Sequence, residues 1–481
     1  MADLRTSHLT RRQLLKLGLA AGAAASVSIV AACQSGSAPA PTSAPSGQTG
    51  SQGGEQKPAA TQGPAQVSGG KLKLSVWNSP SFNQVADEAI GNVFKEWGEK
   101  NNVEIDYQVI PETERRQRYT AALEAKTPPD IAYTFEAELQ FYRAQDLLVD
   151  ITPVIQEANK LEGGLFESAL LNVTFEGKHY GVPFVVNPWV MHVRTDILEQ
   201  AGVEYPKTWE DVITISDKVS KPPQVFTYAM SLGDNHDTEN NLLAMAWAYG
   251  AAMQNEEGAL TFKSPEMLET IKLVKAMYDK RVIPPGATTW DSSGNNKAYQ
   301  SGQAVLIHNP NSVYALLESE AKRPDASQEA KALFENTGMF GMPSGPKGAF
   351  DMVDVRAFVA MKGGKDPAAA TEALKYFIDP KNYEKVIETG LNRWAPVYKK
   401  MMERPMWDKP AYKNYRNIMQ NGRTLSFAGP PNAALSEVFD TWIIPRMLQE
   451  ILTSGKDPEQ AMNEAYDKMV EIYKKWKQPI A

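Results

Sequence analysis

The chain has 481 residues, 42% of them hydrophobic, with 50 Lys and Arg against 57 Asp and Glu for a formal net charge of −7. That length suggests two or three lobes with a sizeable core, and the acidic balance argues against nucleic acid or an anionic lipid surface as the main partner. The single cysteine, Cys33, excludes disulfides and thiolate metal sites, and five histidines (His8, His179, His192, His236 and His308) lack the spacing of a zinc motif, so neither metal nor cofactor is expected.

The first informative segment is apolar. Residues 17–32 are small and uncharged, preceded by TRRQLLK with adjacent Arg11 and Arg12. A run of about 16 residues is short for a bilayer span and suits the core of a signal peptide. The paired arginines resemble the address of the twin-arginine export route, with the general secretory route as the alternative. Val30-Ala31-Ala32-Cys33 resembles the lipobox of bacterial lipoproteins, in which the cysteine is diacylated and the chain is cut just before it. No histidine flanks Cys33, so a catalytic thiol would lack its base. Cleavage would remove residues 1–32, which carry a net +3, and leave a body of −10. Residues 33–69 are rich in Ser, Gly, Pro, Ala, Gln and Thr. They cannot bury enough apolar surface to fold, and read as a disordered tether with a reach on the order of tens of ångströms.

From residue 70 the pattern changes. KLKLSVWN (71–78) alternates as a strand, and residues 86–99 place Val93, Phe94 and Trp97 on one helical face. VEIDYQVI (103–110) is a second strand, 115–125 a helix, and PPDIAYTF (128–135) a third strand. Strand, helix, strand, helix, strand at these intervals predicts a parallel sheet with crossover helices, whose ligands gather beyond the carboxyl ends of the strands. Those ends offer Trp77, Asn78, Pro111, Phe135 and Glu136. Further on, Tyr180-Gly181-Val182-Pro183 leads into an extended apolar run, then a helix from Asp196 ended by Gly202, then a helix capped by Thr208 with Asp211 three residues on. No second apolar stretch is long enough to span a membrane.

The segment GKHYGVPFVVNPWVMHVRTDILEQAGVEYPKTWEDV (177–212) resembles the extracellular solute-binding proteins of bacterial ABC importers, in particular the family of sugar-type binders. There the pieces recur as G-x-x-Y-x-x-P, an extended hinge crossing, an aspartate-led helix, G-x-x-x-P and T-W-x-E/D. YQSGQAVLIHNPNSVYAL (299–316), FGMPSGPKGAF (340–350), GKDPAAATEALKYFID (364–379) and EILTSGKDPEQAMNEAYDKM (450–469) extend the likeness over most of the chain. The resemblance implies an α/β, two-lobe fold of the periplasmic-binding-protein type (type II). Each lobe would be a mainly parallel sheet flanked by helices, with hinge strands between the lobes. By analogy lobe one comprises 70–184 and 356–412, and lobe two 187–352 and 413–481. It implies a monomer that captures a small-molecule solute, a saccharide by preference, closes over it and delivers it to ABC transporter permease subunits. It would work lipid-anchored through Cys33 at the outer face of the cytoplasmic membrane.

A sugar is held without being transformed when aromatic rings stack on its apolar faces and planar polar groups take its hydroxyls. The ligand-binding candidates are Trp77, Asn78, Glu136, Trp189, Trp290, Asn309, Asn311, Asp354, Arg393 and Trp394. Core packing is the alternative for Trp77 and Trp189, a simple turn for Asn309 and Asn311, and an ion pair for Arg393. Trp97, Trp209, Trp247 and Trp476 sit on helical patterns and read as core or surface. In GDNHDTENN (233–241), Asp237, Thr238 and Asn240 are candidate helix caps, and Arg115, Arg116 and Arg118 read as a solvated helix face.

Other classes stay open. A secreted glycosidase would need two carboxylates close together; the chain has many, but no H-E-x-x-H, G-x-S-x-G or P-loop signature. A surface adhesin fits the anchor but not the two-lobe pattern. Within the binder class, polyamines, glycerophosphodiesters and metal chelates are alternative solutes; the tryptophans favour saccharides. Substituting Cys33→Ser is expected to release the protein from membranes, read by fractionation of expressing cells, and to leave solute affinity unchanged; retention in the membrane fraction contradicts the anchor.

Overall fold

Alternation sets the first strand of the computed structural model, which describes residues 71–135, 138–390 and 393–481. The proposed signal segment, Cys33, the tether and Glu136 lie outside these residues. Strand β1 (Leu72–Asn78) buries Leu74, Val76 and Asn78. Helix α1 (Gln84–Lys100) starts where the Asn83 side chain accepts from the amides of Val85 and Ala86, and buries Val93, Phe94 and Trp97. Then come β2 (Val103–Val109), α2 (Glu112–Glu124) and β3 (Ile131–Thr134), with β1 parallel to both β2 and β3. The expected strand–helix alternation is present, each helix crossing over between parallel strands.

After α3 (Glu138–Ala144) and a small hairpin of β4 (Thr174–Phe175) and β5 (Lys178–His179), turned at Gly177 with φ +74°, the chain enters β6 (Val182–Arg194). Only the last of its thirteen residues is not buried, which a strand covered on both faces requires. Its first part pairs antiparallel with β10 (Met352–Ala360), from Val182 opposite Phe358 to Trp189 opposite Met352. Its second part pairs antiparallel with β8 (Ala304–Pro310) and β9 (Thr337–Phe340). Pro188, which has no amide to donate, sits where the partners change. With β7 (Phe226–Tyr228) parallel to β8, the strand order is β2-β1-β3-β10-β6-β8-β7, and β9 joins β6 separately. The architecture is the α/β arrangement expected, parallel at β1–β3 and β7–β8 and antiparallel through β6 and β10.

Helices complete two large apolar clusters. In chain order those that bear on the site or the cores are α4 (Trp209–Val219), α5 (His236–Tyr249), α6 (Pro265–Asp279), α7 (Gly294–Gln300) and α8 (Ser312–Ala321). After β10 come α9 (Pro367–Ile378), α10 (Pro380–Thr389), α11 (Tyr415–Asn421), α12 (Ala433–Asp440), α13 (Ile443–Ser454) and α14 (Pro458–Lys475). The first cluster draws on Leu74, Phe94, Phe184, Phe358 and Phe377, with α1, α9 and α10 against the sheet. The second draws on Met191, Trp209, Trp247, Ile271, Leu448 and Met469, from β6, α4, α5, α6, α13 and α14. Strand β6 feeds both: Val182 and Phe184–Val186 lie in the first, Trp189, Met191 and Val193 in the second.

Local expectations are met at α4, where the Thr208 hydroxyl accepts from the Asp211 amide and the Asp211 carboxylate from the Thr208 amide. Trp97, Trp209 and Trp247 are core residues, and Trp476 is half-buried with its indole NH donating to Glu437. At α5 the cap differs from expectation. Asn235, not Asp237, Thr238 or Asn240, accepts from the Thr238 amide at 3.1 Å, and the Thr238 hydroxyl donates instead to the Gly233 carbonyl at 2.7 Å. Among the described residues, no helix is long and apolar enough to cross a membrane.

The ring of Phe358 is fully buried between Phe94, Phe184 and Phe377 at centroid distances of 5.5, 4.7 and 5.4 Å. Phe358→Ala is therefore expected to cost about 3–5 kcal/mol of stability in urea denaturation, and Thr208→Ala, which loses a cap, about 1 kcal/mol. Similar costs for the two would contradict the packing described.

Candidate functional site

The site begins at the β6–β10 crossing. Asp354 stands directly opposite Asn187 in the register, and Trp189 faces Met352. Residues two apart on a strand share a face, so Asn187 and Trp189 project with Asp354 and Arg356. The buried Asp354 carboxylate collects four donors. Oδ1 accepts from Asn187 Nδ2 at 2.9 Å and Arg356 Nε at 2.7 Å; Oδ2 accepts from Trp189 Nε1 and Arg356 Nη2, both at 2.8 Å. Both oxygens are thereby saturated. Asp354, expected to touch ligand, orients three residues that line a cleft and itself lines the pocket beyond it. The register slips between Arg356 and Ala357, where Phe184 has no partner. A one-residue slip exchanges the faces of a strand, which brings Phe184 to the cleft although it lies an odd number of residues from Asn187.

The cleft encloses about 690 Å³, counted out to its mouth. One wall is aromatic and cationic. Trp394 meets Phe184 edge-on at 5.8 Å, and Tyr133 meets Phe184 and Phe135 at 5.8 and 5.2 Å. Phe135 lies under two guanidinium groups, 3.9 Å from that of Arg356 and 4.3 Å from that of Arg115. Arg393 donates from Nε to the Ser81 carbonyl at 2.8 Å, while its Nη1 has no acceptor. Burial pushes its pKa down to about 10, which leaves it charged at neutral pH. At the mouth stands Phe82, 44% exposed with φ +60°, a conformation that strains a bulky residue and persists only where its surroundings impose it. Here Ser81 is tied on both sides, its amide to Asp87 Oδ1 at 3.0 Å and its hydroxyl to the Asn83 carbonyl at 2.8 Å.

The opposite wall is built of amides. Asn309, at the end of β8, donates to Asn296 at the start of α7, and Asn295 donates to Asp237 Oδ2 at 3.0 Å. Asn187 Oδ1 and Ser292 Oγ are buried without partners. His236, first residue of α5, reaches across to Phe135 at 4.9 Å and packs on Trp442 at 4.7 Å. Burial, with Arg115 and Arg356 nearby, holds its pKa well below the ordinary value, so it is neutral. Beyond Phe135, His236 and Arg356 a second pocket continues inward to Asn240, Ser436 and Asp440. Burial and the neighbouring Glu138 carboxylate push the Asp440 carboxyl well up from its usual range.

Of the residues singled out from sequence, Trp189, Asn309, Arg393 and Trp394 line the cleft, and Asp354 lines the pocket that continues inward from it. Trp77 packs edge-on against Tyr119 at 5.2 Å, with the Arg118 guanidinium 5.4 Å from its ring, away from the cleft. Asn78 is buried and donates to the Tyr107 hydroxyl at 2.8 Å. Trp290 buttresses the amide wall: its carbonyl accepts from Asn235 at 2.8 Å, and its ring packs against Gly294. Asn311 is buried between Pro310 and Ser312, which line the cleft in its place. Glu136 lies outside the described residues. Arg115 corrects the expected solvated face: it is buried and paired with Glu138, while Arg116 remains exposed. Among the described residues, no group of three His, Cys, Asp or Glu side chains is placed to hold a metal ion.

Comparison with known proteins bears on the fold and the family. A putative binding protein of Brucella abortus (strain 2308) is 22% identical over 416 residues, covering 84% of this chain and 94% of that one. The diacetylchitobiose binding protein of Streptomyces coelicolor is 22% identical over 53% of this chain and 55% of its own length. Among solved structures, maltose-bound MalE3 of T. maritima superposes with a TM-score of 0.69 at 19% identity, covering 83% of this chain and all of that one. A sugar transporter component of Arthrobacter chlorophenolicus A6 with bound laminaribiose gives 0.72 at 16% identity, over 83% of this chain and 99% of that one. At such identities these structures establish the fold alone. The family model of the bacterial extracellular solute-binding proteins matches residues 92–420, and the chain belongs to that family.

Proposed function

We propose that this protein is the solute-binding component of an ABC importer and captures a saccharide in the cleft between its two apolar cores. The observation that carries this reading is the pairing of unlike walls. Trp394 and the exposed ring of Phe82 offer stacking surfaces, and Asn309 and Ser292, with Asn187 on the floor, offer planar amides and a hydroxyl. That combination recognises the apolar faces and the hydroxyls of a sugar ring. Relatives and structural neighbours whose names record maltose, laminaribiose or diacetylchitobiose support it. The two cores would be the bodies of two lobes that close over the solute about β6 and β10, since a ligand favours the state in which it touches both walls. Export, an anchor on lipid-modified Cys33 and delivery to a permease complete the reading.

The rivals are disfavoured by charge placement. Hydrolysis of a glycosidic bond needs two carboxylates across the scissile bond. Among the described residues lining the cleft, Asp237 supplies the one carboxylate, and that of Asp354 behind it is saturated by four donors. A polyamine needs several carboxylates and would meet Arg356 and Arg393 instead.

Thermal-shift screening of the purified chain against oligosaccharides, spermidine and glycerophosphodiesters tests the reading, with calorimetry and product analysis on each hit. An oligosaccharide is expected to raise the melting temperature and to be recovered intact. A shift with spermidine alone, or cleavage of the bound sugar, contradicts it.

A further inference from the structure

Resting on the saccharide reading of the cleft, we propose that the solute is an anionic saccharide, carrying a carboxylate or a phosphate that is received by Arg393.

The chain treats its buried arginines unequally. Arg115 is 4% exposed and paired with Glu138; Arg356 is held by both oxygens of Asp354. Arg393, at 7% exposure, breaks the pattern. It donates one hydrogen bond, to a neutral carbonyl of Ser81, and its Nη1 has no acceptor. Among the described residues no carboxylate lies within ion-pair distance; Asp354 and Asp87 act on it only from further away, and Arg356 opposes them. A buried cation without a partner is costly, and removing the partner of a buried ion pair is strongly destabilising for the same reason. A fold that pairs Arg115 and Arg356 but leaves Arg393 open at a ligand cleft is completed by a ligand that brings the missing charge.

The guanidinium also has the right form. Its planar fork presents parallel N–H donors that match the two oxygens of a carboxylate or two oxygens of a phosphate. It stands beside Trp394, 5.7 Å from the ring centroid. A sugar ring stacked on that indole therefore has its exocyclic substituents within the neighbourhood of Arg393, while its hydroxyls face the amide wall. Arg356 is the poorer receptor, because its charge is already paired with Asp354 through Nε and Nη2.

Calorimetric titration of the full chain with matched sugars tests this. The set contains digalacturonate, its methyl ester and neutral galactobiose, together with maltose and a maltose phosphate. One acid is expected to bind roughly ten- to a hundredfold more tightly than its neutral counterpart, the range for a charge-assisted hydrogen-bond pair. Arg393→Gln is expected to collapse that ratio and Arg393→Lys to keep part of it. A preference for digalacturonate identifies the carboxylate, and one for the phosphate ester identifies the phosphate. The comparison of acid with ester in the wild-type chain stands even where a variant does not fold. Neutral sugars binding as tightly as their acids overturn the anionic group, and a preference that survives Arg393→Gln overturns Arg393 as its receptor; either leaves the saccharide reading in place. Binding of spermidine with no sugar binding overturns both.

Discussion

The Asp354 carboxylate is the point on which the rest of the site depends. It sits in the middle of the antiparallel pair of β6 and β10 and binds side chains from both strands at once. A buried carboxylate without donors would be prohibitive; with four it fixes its neighbours, and partly satisfied networks of this kind are where structures fail. Asn187, Trp189 and Arg356 take their orientation from it, and Phe135 in turn packs under Arg356. Because β6 contributes side chains to both apolar cores, the same short stretch of backbone links the cores and lays the floor of the cleft between them.

The walls divide the labour. The aromatic wall, with Trp394, Phe184 and Phe135, supplies area and positive charge. The amide wall, with Asn296, Asn309 and Asn187, supplies directional donors and acceptors that can meet a solute without reacting with it. His236, the histidine that reaches the cleft, is held neutral by burial, with its Nδ1 3.1 Å from Glu239 Oε2 and its ring packed between Phe135 and Trp442.

Much of this was legible in sequence wherever the information was local. The β1–α1–β2–α2–β3 succession follows from alternation and helical periodicity, the Thr208–Asp211 box from a cap three residues ahead of its partner, and Trp189, Asn309, Arg393 and Trp394 from loop and strand-end position. What stayed hidden depends on distant pairing. Asp354 looks like a ligand group until Asn187, 167 residues earlier, is placed opposite it. Arg115 looks like part of a solvated helix face until Glu138 folds over it. Trp77 and Asn78 occupy a strand end, but Tyr119 and Tyr107 claim them first. Arg356, two residues beyond Asp354 on a strand, could have been found from period-two spacing. Phe82 could not, since a positive φ for phenylalanine has no sequence signature.

On the proposed reading, the two cores approach each other about β6 and β10 when solute binds. Gln117 on α2 and Asp291 ahead of α7 are exposed and line the same outer pocket at the cleft mouth. Since Cys33 is the only cysteine, Cys33→Ser leaves a cysteine-free background for spin labels at Gln117→Cys and Asp291→Cys. The direct measurement is the distance distribution between these labels by pulsed electron resonance, with and without a saturating saccharide that raised the melting temperature. The distribution is expected to shift to shorter distances and to narrow; an unchanged distribution at saturation contradicts closure of the two lobes over the solute.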